Sequence, residues 1–241
     1  MILDKQSLEI WSKLQVNGND LYSKFSQLNL STENRKDVVE FKKFSKFSGN
    51  ILDIGCGPII PDYLRNNTDV ELTVGIDPLL SFDKNSSEKK IDLMRAIGEF
   101  LPFNDDSFDF VCFGTSFDHV LDPDRVLNES KRVLKKNGTL VFWTDAEPKK
   151  NGLFKRAIKK TKNSLAGKVK SKIDSEYTVL INEQQKLIES MEIPSGASDQ
   201  FHLRHVKFDE LNDLCLSLNF EQIKKKQLDN NVSLFVKYKA K

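Results

Sequence analysis

One stretch of this chain is spaced for binding a nucleoside. The run Ile51-Leu52-Asp53-Ile54-Gly55-Cys56-Gly57-Pro58 leads from apolar residues into a Gly-x-Gly, and Asp77 closes the next apolar run twenty residues after Gly57. Glycines let a turning backbone pass close to a ligand, and a carboxylate at the end of a second strand accepts ribose hydroxyls. A dinucleotide would need free amides at a helix N-terminus for its pyrophosphate, and a third glycine for close packing. Here Pro58 has no amide and Ile60 holds the third glycine's place. Asp53 would also set a negative charge against a pyrophosphate, whereas a ligand carrying a sulfonium and an ammonium group suits it.

A second set of residues could act on an acceptor. The loop Gly114-Thr115-Ser116-Phe117-Asp118-His119-Val120-Leu121-Asp122-Pro123 places His119 beside Asp118, and an imidazole with an ordinary pKa near 6.5 is a general base at neutral pH. Further on, Asp199-Gln200-Phe201-His202-Leu203-Arg204-His205 holds two more histidines and an arginine that suits a phosphate or carboxylate. In an extended segment, His202 and His205, three apart, point to opposite faces, and a polar loop without catalytic duty fits equally well. The catalytic candidates are thus His119, Asp118, His202 and His205. No metal is expected: Cys56, Cys112 and Cys215 lack metal-type spacing.

These residues need elements to hold them. Short apolar runs at 51–54, 71–76, 93–97, 108–113 and 139–144 alternate with turn signals, which predicts strands of a parallel sheet joined by crossovers. Between the last two, Asp122 caps a helix with Pro123 in its first turn; Val126, Leu127, Ser130, Val133 and Leu134 share one face and Gly138 ends it. A lead-in helix is predicted over 35–47, with Val38, Val39, Phe41 and Phe44 facing inward and Gly49-Asn50 closing it. The first thirty residues read as helical but carry no signal that places them. A helical insertion over roughly 146–200 is interrupted at Gly152, Gly167 and Pro194; then come a helix over 208–218 and a hairpin of strands 220–227 and 232–238.

Taken together, Leu52-Asp53-Ile54-Gly55-Cys56-Gly57, Gly75-Ile76-Asp77, Leu101-Pro102-Phe103 with Ser107-Phe108-Asp109, and Arg132-Val133-Leu134-Lys135 before Asn137-Gly138 resemble the class I S-adenosylmethionine-dependent methyltransferases, in their type 11 branch. The resemblance covers about residues 35–145 and, more loosely, 205–238. It implies an α/β, Rossmann-like seven-stranded sheet with the last strand antiparallel, helices on both faces and a helical lid insertion. S-adenosylmethionine is the implied cofactor, with contacts from Asp53, Gly55, Cys56, Gly57, Asp77, Pro78, Gly98, Glu99, Phe100 and Thr115. One departure stands out: Ile97 occupies the place where the family often has an Asp for the adenine amino group, so the backbone near Gly98 and Glu99 is expected to make the polar adenine contacts.

The segments around Asp118-His119-Val120, Gly75-Ile76-Asp77-Pro78-Leu79 and Phe201-His202-Leu203-Arg204-His205 also resemble methyltransferases of bacterial surface-polysaccharide and lipopolysaccharide assembly. That resemblance implies O-methylation of a sugar, as a glycan or on a nucleotide- or lipid-linked diphosphate. Charge distribution suits such a diphosphate or an anionic lipid surface. Net charge is +2, yet residues 149–172 carry ten basic residues and no acidic one, leaving 27 basic against 35 acidic residues elsewhere. Phe154, Ile158, Leu165 and Val169 share a helical face there, as in a helix lying on an anionic membrane, although a solvated face would show the same lysines.

The chain is then expected to comprise an N-terminal helical extension (1–34), a cofactor-binding core (35–145), a basic lid (146–200) and a C-terminal completion of the sheet (201–241), in a cytoplasmic protein with peripheral membrane contact. Nucleic acid is not an expected partner, since no Asn-Pro-Pro-Tyr-type motif or RNA-binding module is present. Methylation of RNA or of another small molecule, and a non-catalytic protein that kept the fold, are the alternatives.

Overall fold

The computed structural model describes residues 4–25, 35–58, 60–80, 90–145, 170–228 and 233–241, with 170–177 described as backbone alone. Seven strands form one sheet: β1 (Gly49–Ile54), β2 (Val70–Ile76), β3 (Ile91–Met94), β4 (Phe108–Gly114), β5 (Leu134–Asp145), β6 (Phe220–Gln227) and β7 (Ser233–Ala240), in the order β3-β2-β1-β4-β5-β7-β6. β1 pairs in parallel with β2 and β4, β2 with β3, and β4 with β5, while β7 runs antiparallel between β5 and β6. This is the expected α/β sheet with its last strand reversed. The order turns back between β1 and β4, the point at which an open α/β sheet binds its ligand beyond the strands' carboxyl ends.

The two-residue period of the strands divides the core between two faces. Leu52, Ile54, Val111, Phe113, Leu140, Phe142, Val236 and Tyr238 face one way, toward α3 (Pro123–Val133) and α5 (Phe208–Ser217). Ile51, Cys112, Val141, Trp143 and Phe235 face the other way, toward Val38, Phe41 and Phe44 of α2 (Lys36–Ser45). Phe41 has no exposed surface and packs on Phe47, Tyr63, Trp143 and Phe235; truncating such a ring to alanine costs about 3–5 kcal/mol. The other helices are α1 (Lys5–Lys24) and α4 (Lys170–Ser190). No helix among the described residues is long and apolar enough to cross a membrane.

Local chemistry explains most element ends. The Asp4 carboxylate accepts from the Ser7 amide to start α1, and Asp122 accepts from Arg125 to start α3. α2 closes earlier than Gly49, on Lys46 in a left-handed conformation (φ 48°). α3 likewise ends before Gly138: Leu134 is already extended and pairs with Phe108, so Gly138 lies inside β5. The third strand is Ile91–Met94 rather than 93–97, because Ile91 pairs with Thr73 and the chain turns away after Met94. The basic, amphipathic part of the insertion lies almost entirely outside the described residues, which take up the chain again at α4.

Candidate active site

A cavity of about 620 Å³ opens beyond the carboxyl ends of β1, β2, β4 and β5, within the size range of small-ligand sites. Its floor begins with the turn after β1. Gly55 and Gly57 both have positive φ, 76° and 74°, and a side chain on Gly57 would meet nothing within 4 Å, so bare backbone faces the open space. A side chain on Gly55 would instead strike Ser116, whose hydroxyl donates to the Ile54 carbonyl and fastens the loop after β4 to the end of β1. Among the described residues no helix separates β1 from β2; residues 62–66 make only turns. A helix-borne pyrophosphate site is thereby absent from that described stretch.

Asp77 ends β2 on the same floor. Its carboxylate accepts from the Gly57 amide at 2.9 Å and the Leu79 amide at 2.8 Å, two of about four lone-pair directions. Burial raises its pKa, and the two amides offset part of that cost. Further donors would relieve it. Pro78, Leu79, Ala96, Ile97, Gly98 and Glu99 continue the wall from Asp77, mostly apolar, as a purine ring would require. The Glu99 side chain is committed elsewhere: it accepts from the Leu121 amide at 2.6 Å and the Asp122 amide at 3.1 Å, locking the loop after β4 to the end of β3.

Thr115, Asp118, His119, Asp145 and His202 line the same cavity. Thr115 holds a left-handed φ of 67°, a strained conformation of the kind found at functional sites. His119 Nδ1 lies 3.2 Å from the Phe201 carbonyl. A carbonyl only accepts, so Nδ1 carries the hydrogen and Nε2 keeps a lone pair. The imidazoles of His119 and His202 stack at 4.3 Å. Burial and the neighbouring His202 hold the His119 pKa down despite Asp118, whereas the Asp199 hydrogen bond and nearby carboxylates raise that of His202 against its own burial.

Most of the predicted residues converge here, but Asp53, Phe100 and His205 are not in the cavity wall. Asp53 is fully buried behind the wall and reaches the cavity only through Tyr63, whose hydroxyl donates to both carboxylate oxygens at 3.2 and 3.1 Å. Phe100 turns out of the cavity, is 48% exposed and stacks under the Arg125 guanidinium at 3.7 Å. His205 lies behind His202, off the wall. His202 and His205 do not diverge, because the segment is a turn: Asp199 Oδ1 accepts from the amides of Phe201 and His202. Both imidazoles meet that same carboxylate.

α1 forms the wall that no sequence signal placed. Trp11, Leu14, Gln15, Gly18, Leu21 and Tyr22 line the cavity, the Trp11 indole donates to the His119 carbonyl at 2.9 Å, and Asn17 donates to the Gln200 carbonyl at 2.8 Å. Tyr63 was also missed. Its signal was present in Gly114, where any side chain would fall 2.0 Å from the Tyr63 hydroxyl.

Residues 52–142 match the methyltransferase domain family. An uncharacterized protein of Methanocaldococcus jannaschii is 33% identical over 107 residues, 44% of this chain and 50% of that protein. The demethylmenaquinone methyltransferase of Bacillus subtilis is 29% identical over 127 residues (52% and 54%), and a ubiquinone biosynthesis O-methyltransferase of Actinobacillus pleuropneumoniae 25% over 154 residues (59% and 65%). The chain thus spans about half the length of the first two relatives and just under two thirds of the third.

A Pyrococcus horikoshii protein superposes with a TM-score of 0.56 at 19% identity, covering 88% of this chain and 93% of that one. A SAM-dependent methyltransferase from Aquifex aeolicus superposes at 0.52 and 13% identity, covering 86% and 90%. The family match implies S-adenosylmethionine as cofactor, and the site fits it: bare backbone at Gly57, spare acceptor capacity on a buried Asp77, an apolar wall at Ile97 and, among the described residues between β1 and β2, no helix to hold a pyrophosphate. Residues 52–142 are therefore similar to a methyltransferase domain, and the sheet that contains them is the Rossmann-like fold of class I S-adenosylmethionine-dependent methyltransferases.

Proposed function

We propose that the chain is an S-adenosylmethionine-dependent methyltransferase that O-methylates a hydroxyl of its acceptor, with His119 as general base. The observation that carries this reading is a single cavity lined by Gly57, Asp77 and His119 together, with the His119 Nδ1–H tied to the Phe201 carbonyl. When bound, S-adenosylmethionine supplies an electrophilic methyl group on a sulfonium. Gly57 and Asp77 fix its ribose and methionyl parts, and α1 with Trp11 and Leu14 keeps water from the reacting end. His119 Nε2 takes the acceptor's hydroxyl proton, and the Asp118 carboxylate, 4.0 Å from that nitrogen, stabilises the imidazolium that results.

The acceptor we favour is a sugar of a surface glycan or of its nucleotide- or lipid-linked precursor. Its support is the local resemblance to polysaccharide-associated methyltransferases and the ten basic residues of 149–172, which we assign to a diphosphate or an anionic lipid surface on sequence alone. A quinone precursor is the second reading, favoured by the names of the Bacillus and Actinobacillus relatives. Mass spectrometry of products formed with S-adenosylmethionine and each acceptor class separates the two by a methyl-mass gain on one. His119→Ala should lower turnover by roughly 10²–10⁴-fold, the usual worth of a general base, while cofactor affinity stays unchanged. A loss below about threefold would remove the base from the mechanism.

A further inference from the structure

All three histidines of this chain, His119, His202 and His205, meet in one place, together with Asp118 and Asp199. Methyl transfer uses at most the outer part of that cluster. The inner part is the sequence Asp199-x-x-His202-x-x-His205, in which His202 Nδ1 stands 2.8 Å from each oxygen of Asp199 and His205 Nε2 stands 3.1 Å from Asp199 Oδ2.

We propose that Asp199, His202 and His205 bind a divalent first-row transition-metal ion. Three geometric facts support it. First, distances of 2.8–3.1 Å between donor atoms match the edges that ligands bonded at about 2.0–2.2 Å make across roughly a right angle, and the three donors lie within 4.8 Å of one another. Second, two imidazoles with one carboxylate are a ligand set that selects such ions and leaves positions open. Third, the ligands have outer partners. His202 Nε2 lies 3.4 Å from Asp118 Oδ2, so a carboxylate stands ready to take the Nε2–H once an ion replaces the proton that Nδ1 shares with Asp199; a metal-bound histidine is oriented in this way. The Asp199 carboxylate is held in place by the Phe201 and His202 amides.

Such an ion would close residues 199–205 into one rigid loop. That loop supplies the Phe201 carbonyl that sets the His119 ring and the Gln200 carbonyl that receives α1. It is a positioning device, and it stands whether or not the acceptor is a sugar. Its presence would overturn the sequence expectation that no metal is bound.

The test is titration of the untagged, chelator-stripped full chain with Zn²⁺ by calorimetry, and with Co²⁺ by visible absorption. One equivalent should bind, with the visible bands of a Co²⁺–imidazole complex. His205→Ala and Asp199→Asn should weaken binding by at least about a hundredfold, and Asp118→Asn, which leaves all three ligands in place and changes only the partner of His202 Nε2, by about 10–100-fold. Unchanged S-adenosylhomocysteine binding and circular dichroism in each variant confirm that the fold is intact; the Asp118→Asn arm decides the matter if the ligand variants fail to fold. No stoichiometric binding, or binding that all three variants leave intact, overturns the proposal and leaves a proton, not a metal, between His202 and Asp199.

Discussion

Asp53 offers a stability measurement whose sign and size follow from where it sits. Its carboxylate has no exposed surface, and burial pushes its pKa from 3.8 up to about 7; the Tyr63 and Cys112 hydrogen bonds offset only part of that cost. The folded chain therefore holds a proton that the unfolded chain has released, throughout the window between these two values. Stability contributed by the protonated form is complete below the unfolded value of 3.8 and is lost as pH rises to about 7. A shift of about three units at about 1.4 kcal/mol each gives a total of about 4 kcal/mol. Asp53→Asn keeps an oxygen for the Tyr63 hydroxyl and removes the titration. Urea unfolding of both chains without ligand, at pH of about 5 and about 8, isolates the effect, because groups that do not interact with Asp53 cancel in the difference. Relative to the variant, wild type should lose roughly 2–3 kcal/mol between those two conditions. A gap that changes by less than about 0.5 kcal/mol would show that the buried carboxylate is solvated or paired in some other way, and the reasoning from burial would fail.

Asp77→Ala should weaken S-adenosylhomocysteine binding by about 1.5–3 kcal/mol, roughly 10–150-fold, since it removes the acceptor for the ribose and for the Gly57 amide; unchanged affinity by calorimetry would sink the cofactor assignment. Replacing Lys155, Lys159 and Lys162 with Gln should cost up to roughly 3 kcal/mol of binding to anionic vesicles at low salt, with cofactor affinity untouched. If wild type sediments no better with anionic than with neutral vesicles, the membrane role is lost and a soluble diphosphate becomes the partner of those lysines.

The parts legible in the sequence were those written in local spacing. The Gly55–Gly57 turn, Asp77 and the five parallel strands each carry their signal within a few residues of themselves. α1 does not: Leu14 is its one fully buried residue, and it is placed by bonds to His119 and Gln200, 108 and 183 residues away. The convergence of His202 and His205 was hidden for a different reason. Alternation along an extended segment predicts divergence, but Asp199 bends the chain by accepting the amides two and three residues ahead, and an Asp at that offset is the cue that was available. Phe100 was assigned by position in a motif, and position cannot report that the turn from Ile97 carries the ring outward to Arg125.

The place of β7 between β5 and β6 has a consequence for synthesis. Leu140, Val141, Phe142 and Trp143 are buried along β5, and their partners Tyr238, Lys237, Val236 and Phe235 lie nearly a hundred residues downstream. Until those residues have left the ribosome, β5 presents an open apolar strand edge with four core side chains beside it. Unpaired edges of that kind template pairing with other chains. The nascent polypeptide is therefore most exposed to aggregation while the residues between β5 and β7 are being made.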